Sequence, residues 1–400
     1  MYLLHRIVMA CAWLIACAWL YKLLETARGL AGVPNLLQLE FDGQPAGNPS
    51  ITVIVPARNE AANVAACLDS LVGQDYANVR VLAVNDRSTD ATGARMGECA
   101  ERSGGRLEVL TITELPANWL GKTHAMATAA RAAMASHSPD YLLFTDADIL
   151  FRRDAIRRTL VGATAAEADH FILMPTAVNK TLGEGMLLAY LQVMSFWAVR
   201  LWRVADAKAK RDALGVGAFN LLLTSAYREL GGFEAAPMEI LEDLELGRRV
   251  KRAGLRQRVA WGPGMVRVHW ASGAHGIVAG MTKNLFAVFD FRPAYLLVAA
   301  VTLAILGMGP ACMMAVPGLR LAGVIAWGAA AGLYGLSART SRISAWYSLT
   351  LPVAAAMVVY SMLRSMAVTI IRGGVSWRGT FYSLVDLRAH TRGRFWRSKF

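Results

Sequence analysis

Cysteine is scarce and placed for neither of its usual structural jobs. Cys11, Cys17, Cys67, Cys99 and Cys312 fall partly inside apolar runs and form no CxxC or other metal-like spacing, so neither a disulfide framework nor a zinc site is implied. Charge is scarce as well: Asp, Glu, Lys and Arg make up 18% of the 400 residues, against 55% apolar residues. A soluble core alone does not account for that balance, and part of the chain is expected in lipid. No internal repeat or low-complexity tract is visible. A complete Walker loop is missing too, because Gly121-Lys122-Thr123 lacks the upstream glycine of GxxxxGK[ST], which excludes a P-loop ATPase.

What charge there is leans positive, with a net of +13. The excess gathers near the apolar segments and in the last residues, at Arg388, Arg392, Arg394, Arg397 and Lys399. That placement suits an anionic lipid surface. Residues 50–290 carry no nucleic-acid-binding signature, so no nucleic-acid partner is expected.

The apolar residues concentrate in two blocks that flank an ordinary mixed region. IVMACAWLIACAWLYKLL at 7–24 is long enough to cross a bilayer and is followed by no small-residue cleavage site, so 1–24 reads as an uncleaved transmembrane anchor. Lys22 and Arg28 outweigh Arg6, which places the next domain in the cytoplasm under the positive-inside tendency. A linker covers 25–49 and the soluble domain 50–280. MTKNLFAVFDF opens an interfacial amphipathic segment, 281–293, beside Lys283 and Arg292. Apolar runs at 294–316, 321–338 and 345–371 form a C-terminal region, 294–371, of two to three spans, and 372–400 is a basic tail. Three crossings would leave that tail outside, against the charge rule. One run is therefore expected to be re-entrant or interfacial, and Pro352 marks the last one. The localisation expected is a multi-pass inner (plasma) membrane protein with a cytoplasmic catalytic domain.

Within 50–280 the β-branched run ITVIVPA stops at Pro56 and reads as a buried strand. Helices at about 60–73, 90–102 and 122–136 alternate with strands at 79–84, 107–112 and 141–145, which argues an α/β fold with a mostly parallel sheet. Ligands in such sheets bind beyond the carboxyl ends of the strands. Four segments lie there: VPARNE at 55–60, VNDRSTD at 84–90, TDADI at 145–149 and ILEDLELGRRV at 240–250.

TDADI carries the sharpest chemistry. Asp146 and Asp148 project to one side of an extended segment because side chains alternate with period two. Two such acids repel unless a cation bridges them. Each other segment also has a plain alternative: Asn59 as the cap of a helix, Asp90 as the cap of the next, and Glu242, Asp243 and Glu245 as an acidic first turn complementing a helix dipole. In NWLGKTHAMATAA, Gly121 allows close backbone approach and Lys122 offers a positive charge at a helix start. His269, in VRVHWASG, is most simply a packing residue.

Taken in order, the four segments resemble membrane-anchored, non-processive family 2 glycosyltransferases of the GT-A fold, from residue 55 to 250, and the Lys122 segment is similar to hopanoid-associated membrane members; the chain is likewise similar to bacterial lipid and carotenoid glycosyltransferases. The resemblance implies a GT-A (nucleotide-diphospho-sugar transferase) mixed sheet with flanking helices, plus N-terminal and C-terminal transmembrane helices. It implies nucleotide-sugar contacts from Pro56, Ala57, Arg58, Glu60, Asp86, Lys122 and Asp146, with Asn85 standing where the family more often has an acid. It implies Mg²⁺ or Mn²⁺ on Asp148, with His269 as a further ligand. Asp243 becomes the general base with Glu242 beside it, and a single in-line displacement inverts the anomeric carbon. The QxxRW motif of processive synthases is absent. The expected activity is transfer of one sugar, from a UDP-hexose, to a membrane lipid hydroxyl. A processive polysaccharide synthase and a catalytically silent membrane scaffold are the alternatives.

Overall fold

The structure is a computed structural model that describes residues 2–377 and 379–397, with side chains described as far as residue 390; Lys399 of the basic tail lies outside the described residues. In chain order the elements are α1 (Tyr2–Leu30), β1 (Ile51–Ala57), α2 (Val64–Val72), β2 (Val79–Asp86), α3 (Thr92–Arg102), β3 (Leu107–Ile112), α4 (Gly121–Ser136), β4 (Tyr141–Phe144), β5 (Ile149–Phe151), α5 (Ala155–Ala165), β6 (His170–Met174), β7 (Thr176–Ala177) and α6 (Leu182–Ala198). There follow β8 (Asn220–Leu223), α7 (Thr224–Glu229), α8 (Glu242–Arg252), β9 (Gln257–Trp261), β10 (Val266–Val268), α9 (Gly273–Val288), α10 (Pro293–Ala315), α11 (Arg320–Ser341), α12 (Leu351–Arg372), β11 (Gly374–Trp377), β12 (Thr380–Ser383) and α13 (Leu384–Arg397).

The chain divides into two compact units, one made of residues 33–176 and 202–269, the other of 1–32, 177–201 and 270–400. The first is built on a seven-stranded sheet in the order β3-β2-β1-β4-β8-β6-β9. β8 runs antiparallel to both β4 and β6, and the remaining pairings are parallel. This is the mixed α/β sheet the motifs implied. Its strands are apolar on both faces because helices cover both. Val53, Val55, Val81 and Leu143 pack with Cys67, Leu68 and Leu71 of α2, Met96 of α3 and Leu160 of α5. The alternate residues Ile54, Leu82, Val84, Leu142 and Phe144 pack with Ala125, Met126 and Ala129 of α4 and Leu246 and Val250 of α8. A small second sheet, β5-β10-β7, lies in the same unit, with Val268 opposite Ile149. The carboxyl ends of β1, β2 and β4 are thereby held at fixed spacing by the sheet, and the three strand-end motifs project from them.

The second unit is helical. Among the described residues five helical stretches are long and apolar enough to cross a membrane: Tyr2–Leu30, Leu182–Arg203, Pro293–Ala315, Pro317–Ser341 and Ala345–Arg372. Trp19 of α1 donates its indole N–H to the Leu306 carbonyl of α10 at 3.1 Å and meets Trp197 of α6 edge-to-face at 5.3 Å. Four differences from the sequence reading are physical. Residues 177–201, read as part of the soluble span, group with the helical unit. The amphipathic segment starts before residue 281, because α9 already begins at Gly273, and Pro352 opens α12 instead of bending it, as expected for proline in the first turn. The tail is not featureless: β11 and β12 pair as a hairpin before α13.

Candidate active site

The site begins with two loops that lock each other. β1 ends at Pro56 and Ala57, which pair with Val84 and Asn85 of β2. Beyond them Asn59 takes φ 55° and Arg87 takes φ 53°, left-handed values that cost a non-glycine residue roughly 1–2 kcal/mol. Hydrogen bonds between the loops offset that strain. Asn59 Oδ1 accepts from the Thr89 N–H at 2.8 Å, the Asn59 N–H donates to Ser88 Oγ at 3.2 Å, and the Glu60 N–H donates to Thr92 Oγ1 at 2.8 Å. Asp90 accepts from the Thr92 hydroxyl and N–H, which hold its carboxyl below the usual range. Asp90 thus holds the first residue of α3, while the cap position itself falls on Ala91 and not on Asp90 as read from the sequence, and Arg58 and Glu60 sit on a rim shared by both motifs.

Asp86 closes β2 and is buried. Both its oxygens accept from the neighbouring Arg87, Nε to Oδ1 at 2.7 Å and Nη2 to Oδ2 at 2.8 Å. A methyl group on Gly121 would press on Asp86 Oδ2 and on the Arg87 guanidinium. That glycine thus makes room for the Asp86–Arg87 pair. Arg87 escaped the sequence reading, although a basic residue directly after the acid of VNDRSTD was a visible signal. Asn85 keeps its Oδ1 buried with no hydrogen-bond partner.

The centre of the site is Lys122. α4 starts at Gly121, and its first turn is tied to the segment before α8: the Leu120 N–H and the Thr123 hydroxyl both donate to the Pro237 carbonyl. This tether carries Lys122 toward α8. Its ammonium pairs with Asp146 Oδ1 at 2.5 Å and with Glu242 Oε1 at 2.6 Å. Residues from three separate motifs therefore meet on one cation. Burial would lower the Lys122 pKa, but Asp146, Glu242 and Asp243 together raise it well above the ordinary lysine value. The sequence reading gave Lys122 and Asp146 to the nucleotide-sugar; the structure joins them to each other first.

The acids outnumber the lysine, and their protons show it. Burial, with the Asp243 charge adding to it against Lys122, pushes Glu242 up to about 7. Burial also raises Asp243, against Lys122 and the Leu244 N–H, which donates to Asp243 Oδ1 at 2.7 Å. Asp148 is pushed up to about 6 by burial and then by the Asp146 and Glu60 carboxylates. The turn before β8 packs tightly here. A methyl on Gly217 would lie 2.7 Å from Asp146 Oδ2 and 3.5 Å from Lys122 Nζ, and one on Gly215 would overlap the Asp243 carbonyl. GVGAF read only as structural support in the sequence, and these glycines are in fact part of the wall of the charged cluster.

A divalent cation suits this donor set. Asp148 lies close enough to Asp146 and Glu60 for their charges to raise its pKa, and an oxygen-preferring ion such as Mg²⁺ or Mn²⁺ relieves that kind of repulsion. Among the described residues no three His, Cys, Asp or Glu side chains already form a ligand cluster. His269 follows Val268, whose partner on β5 is Ile149, the residue after Asp148. That strand pairing brings the segments carrying His269 and Asp148 to neighbouring strand ends, a relation invisible in sequence.

Comparison with known proteins bears on this geometry. Residues 52–218 match the model of Glycosyl transferase family 2. A 4,4'-diaponeurosporenoate glycosyltransferase of Staphylococcus aureus (strain bovine RF122 / ET3-1) is 28% identical over 240 residues, covering 59% of this chain and 60% of the relative. The counterpart in strain MRSA252 is 27% identical over the same share. The chain thus aligns with about three-fifths of those relatives' length. Among solved structures, a mannosyltransferase from Pyrobaculum calidifontis in complex with GDP-Man and Mn²⁺ superposes with TM-score 0.54 at 19% identity, covering 91% of this chain and 98% of that one. The structural likeness bears on fold alone, and the GT-A fold is what it shares. On these matches residues 52–218 are a glycosyl transferase family 2 domain.

Proposed function

We propose that the protein is an inverting glycosyltransferase that moves a single hexose from a nucleoside diphosphate donor, UDP-hexose in the first instance, to a hydroxyl of a membrane lipid. The observation that carries this reading is the convergence of Asp146, Glu242 and Asp243 on Lys122 at the carboxyl end of the sheet. A scaffold that had lost its reaction would have no reason to crowd several carboxylates, the buried Glu242 among them, around one cation, an arrangement that costs folding energy.

In this reading Pro56, Ala57, Arg58 and Glu60 line the nucleoside side. Asp86 offers the base the lone pairs that Arg87 leaves free, since each carboxylate oxygen accepts more than once. Lys122 keeps its two carboxylate partners and directs its third ammonium hydrogen to the donor diphosphate. Asp148, with His269 as a further ligand, would hold Mg²⁺ or Mn²⁺, which when bound neutralises charge on the departing diphosphate. Asp243 takes the acceptor proton as the hydroxyl attacks. Its raised proton affinity suits that task, because a base works best with a pKa near the operating pH. Glu242 stays on Lys122 and orients the pair.

The lipid acceptor rests on the helical unit with its apolar helices and on the relatives named for a carotenoid acid. The catalytic unit would face the cytoplasm, where Lys22 and Arg28 lie at the end of α1. The test uses native membranes, radiolabelled UDP-hexose or GDP-hexose, and Mn²⁺. Label is expected in the organic-solvent phase. Label confined to high-molecular-weight aqueous material would replace this reading with the processive synthase, and no incorporation from any donor would favour the silent scaffold.

A further inference from the structure

The sheet unit buries three polar side chains that the proposed reaction does not use. His170 opens β6, Asn220 opens β8 and Gln257 opens β9, and each is at most 3% exposed. Their strands are neighbours. Gln257 is the register partner of His170 on β9, and Asn220 lies two residues before Leu222, the register partner of His170 on β8. Side chains alternate with period two, so all three share one face. It is the face on which Leu222 packs with Leu246 and Val250 of α8. Polar groups replace apolar packing there, which is favourable only where they are hydrogen-bonded.

Their hydrogen bonds lead to one turn. Gln257 Oε1 accepts from the Leu214 N–H at 3.2 Å, and Gln257 Nε2 donates to the Leu214 carbonyl at 2.9 Å and to the Gly247 carbonyl of α8 at 3.2 Å. A backbone N–H only donates and a carbonyl only accepts, so these bonds fix which way the Gln257 amide faces. Its Nε2 also lies 2.9 Å from His170 Nδ1, which must therefore accept. The imidazole proton then sits on Nε2, and it is donated to Asn220 Oδ1 at 3.0 Å. Burial keeps this ring neutral, lowering its pKa to about 4 against the Asn220 bond. Asn220 Oδ1 also accepts from the Val216 N–H at 3.5 Å. The turn at 214–217 belongs to no strand or helix, so side chains supply the partners that a ladder would otherwise give its backbone.

That turn touches the charged cluster directly. A methyl on Gly247 would overlap the Leu214 carbonyl, and one on Gly215 would overlap the Asp243 carbonyl, so the turn and the first two turns of α8 lie backbone against backbone. Burial raises the Asp243 pKa, and a backbone hydrogen bond from Gly217 to its carboxylate is among the contacts that lower it. The Thr145 hydroxyl, at the start of TDADI, donates to the Ala218 carbonyl at 2.8 Å. We propose that His170, Asn220 and Gln257 form a positioning network for the base: they fix the turn at 214–217, and the turn fixes the Asp243 carboxylate where it meets the acceptor hydroxyl. The proposal rests on the reading of Asp243 as that base. His170 exchanges no proton in the reaction. As a neutral ring it gives Gln257 an acceptor and Asn220 a donor, and so holds both amides in the orientation that the turn requires.

Variants of the full chain in membranes test this. Gln257→Leu nearly keeps the size of the side chain and removes its bonds to Leu214, Gly247 and His170. Its kcat should fall about tenfold, with the donor KM within about twofold. His170→Gln is milder, because an amide still donates toward Asn220 while the acceptor for Gln257 is withdrawn. It should lower kcat about threefold in the same pattern, and it carries the test if Gln257→Leu does not fold. The decisive readout places the same changes in Asp243→Asn. Without the base its position no longer matters, and each change should cost less than about twofold more. A role confined to stability would lower the folded fraction equally in both backgrounds, and equal losses would overturn the proposal. Unchanged kcat in both variants, beside an inactive Asp243→Asn, would overturn it alone. Unchanged turnover in Asp243→Asn would instead remove the base and its positioning network together.

Discussion

Two ion-paired lysines, one in each compact unit, show how differently the same residue is used. Lys22 sits in α1 and pairs with Glu25 at 2.6 Å, three residues along the same helix, with its ammonium also 5.3 Å from the Trp197 ring centre. One cation meets one anion, and the partner is local. Lys122 meets Asp146 and Glu242 from segments far apart in sequence, with Asp243 adding its field. There the acids are in excess. A balanced local pair satisfies a charge near lipid, whereas an unbalanced nonlocal cluster leaves negative charge available for a cation and a proton.

That contrast can be broken most forcefully at Lys122. Lys122→Met should lower transfer by about a hundredfold or more and reduce thermal stability, since it leaves Glu242 buried without its counter-charge. Glu242→Gln in the same chain should recover part of the melting temperature but little of the rate. Recovery of both would make the lysine purely structural. Gly217→Ala is the next test: its added methyl presses on Asp146 Oδ2, and about tenfold loss of rate is expected from that displacement, with the melting temperature nearly unchanged.

The pH dependence follows from the raised protons. Glu242, near 7, and Asp148, near 6, bind protons more tightly when folded than ordinary carboxyls do. The metal-free protein should therefore gain stability as the pH falls through those values, reach the full gain below about 4, and lose it again as the pH rises through 7. Melting curves without metal at pH 8 and pH 5.5 read the sign directly. Transfer should run the opposite way, falling with pH as Asp243 and its neighbours protonate. The smallest effect is expected at the other lysine, where Lys22→Met should leave transfer within about twofold. A large loss of rate there would tie the two clusters together.

Much of this was legible in the chain. β1, β2, β3 and β4 read directly from β-branched and apolar runs; Asp146 and Asp148 were named from their spacing, and Asp86 from the family resemblance. What escaped was nonlocal. β8 inserts between β4 and β6 in reverse, which no local pattern records. α6 escaped because it lies within a mixed region and carries Glu184 and Gln192 among its apolar residues. The Lys122 pairings depend on the Pro237 tether to Leu120 and Thr123, a contact across more than a hundred residues. Gly215 and Gly217 looked like turn residues because nothing in the sequence shows what a methyl group there would strike.

The central claim is that Asp243 removes the acceptor proton. The direct measurement is single-turnover transfer from labelled nucleotide-sugar by Asp243→Asn, together with donor binding by the same variant. The account predicts transfer lower by about a thousandfold or more, with donor affinity close to that of the unaltered protein. Unchanged turnover in Asp243→Asn would contradict it.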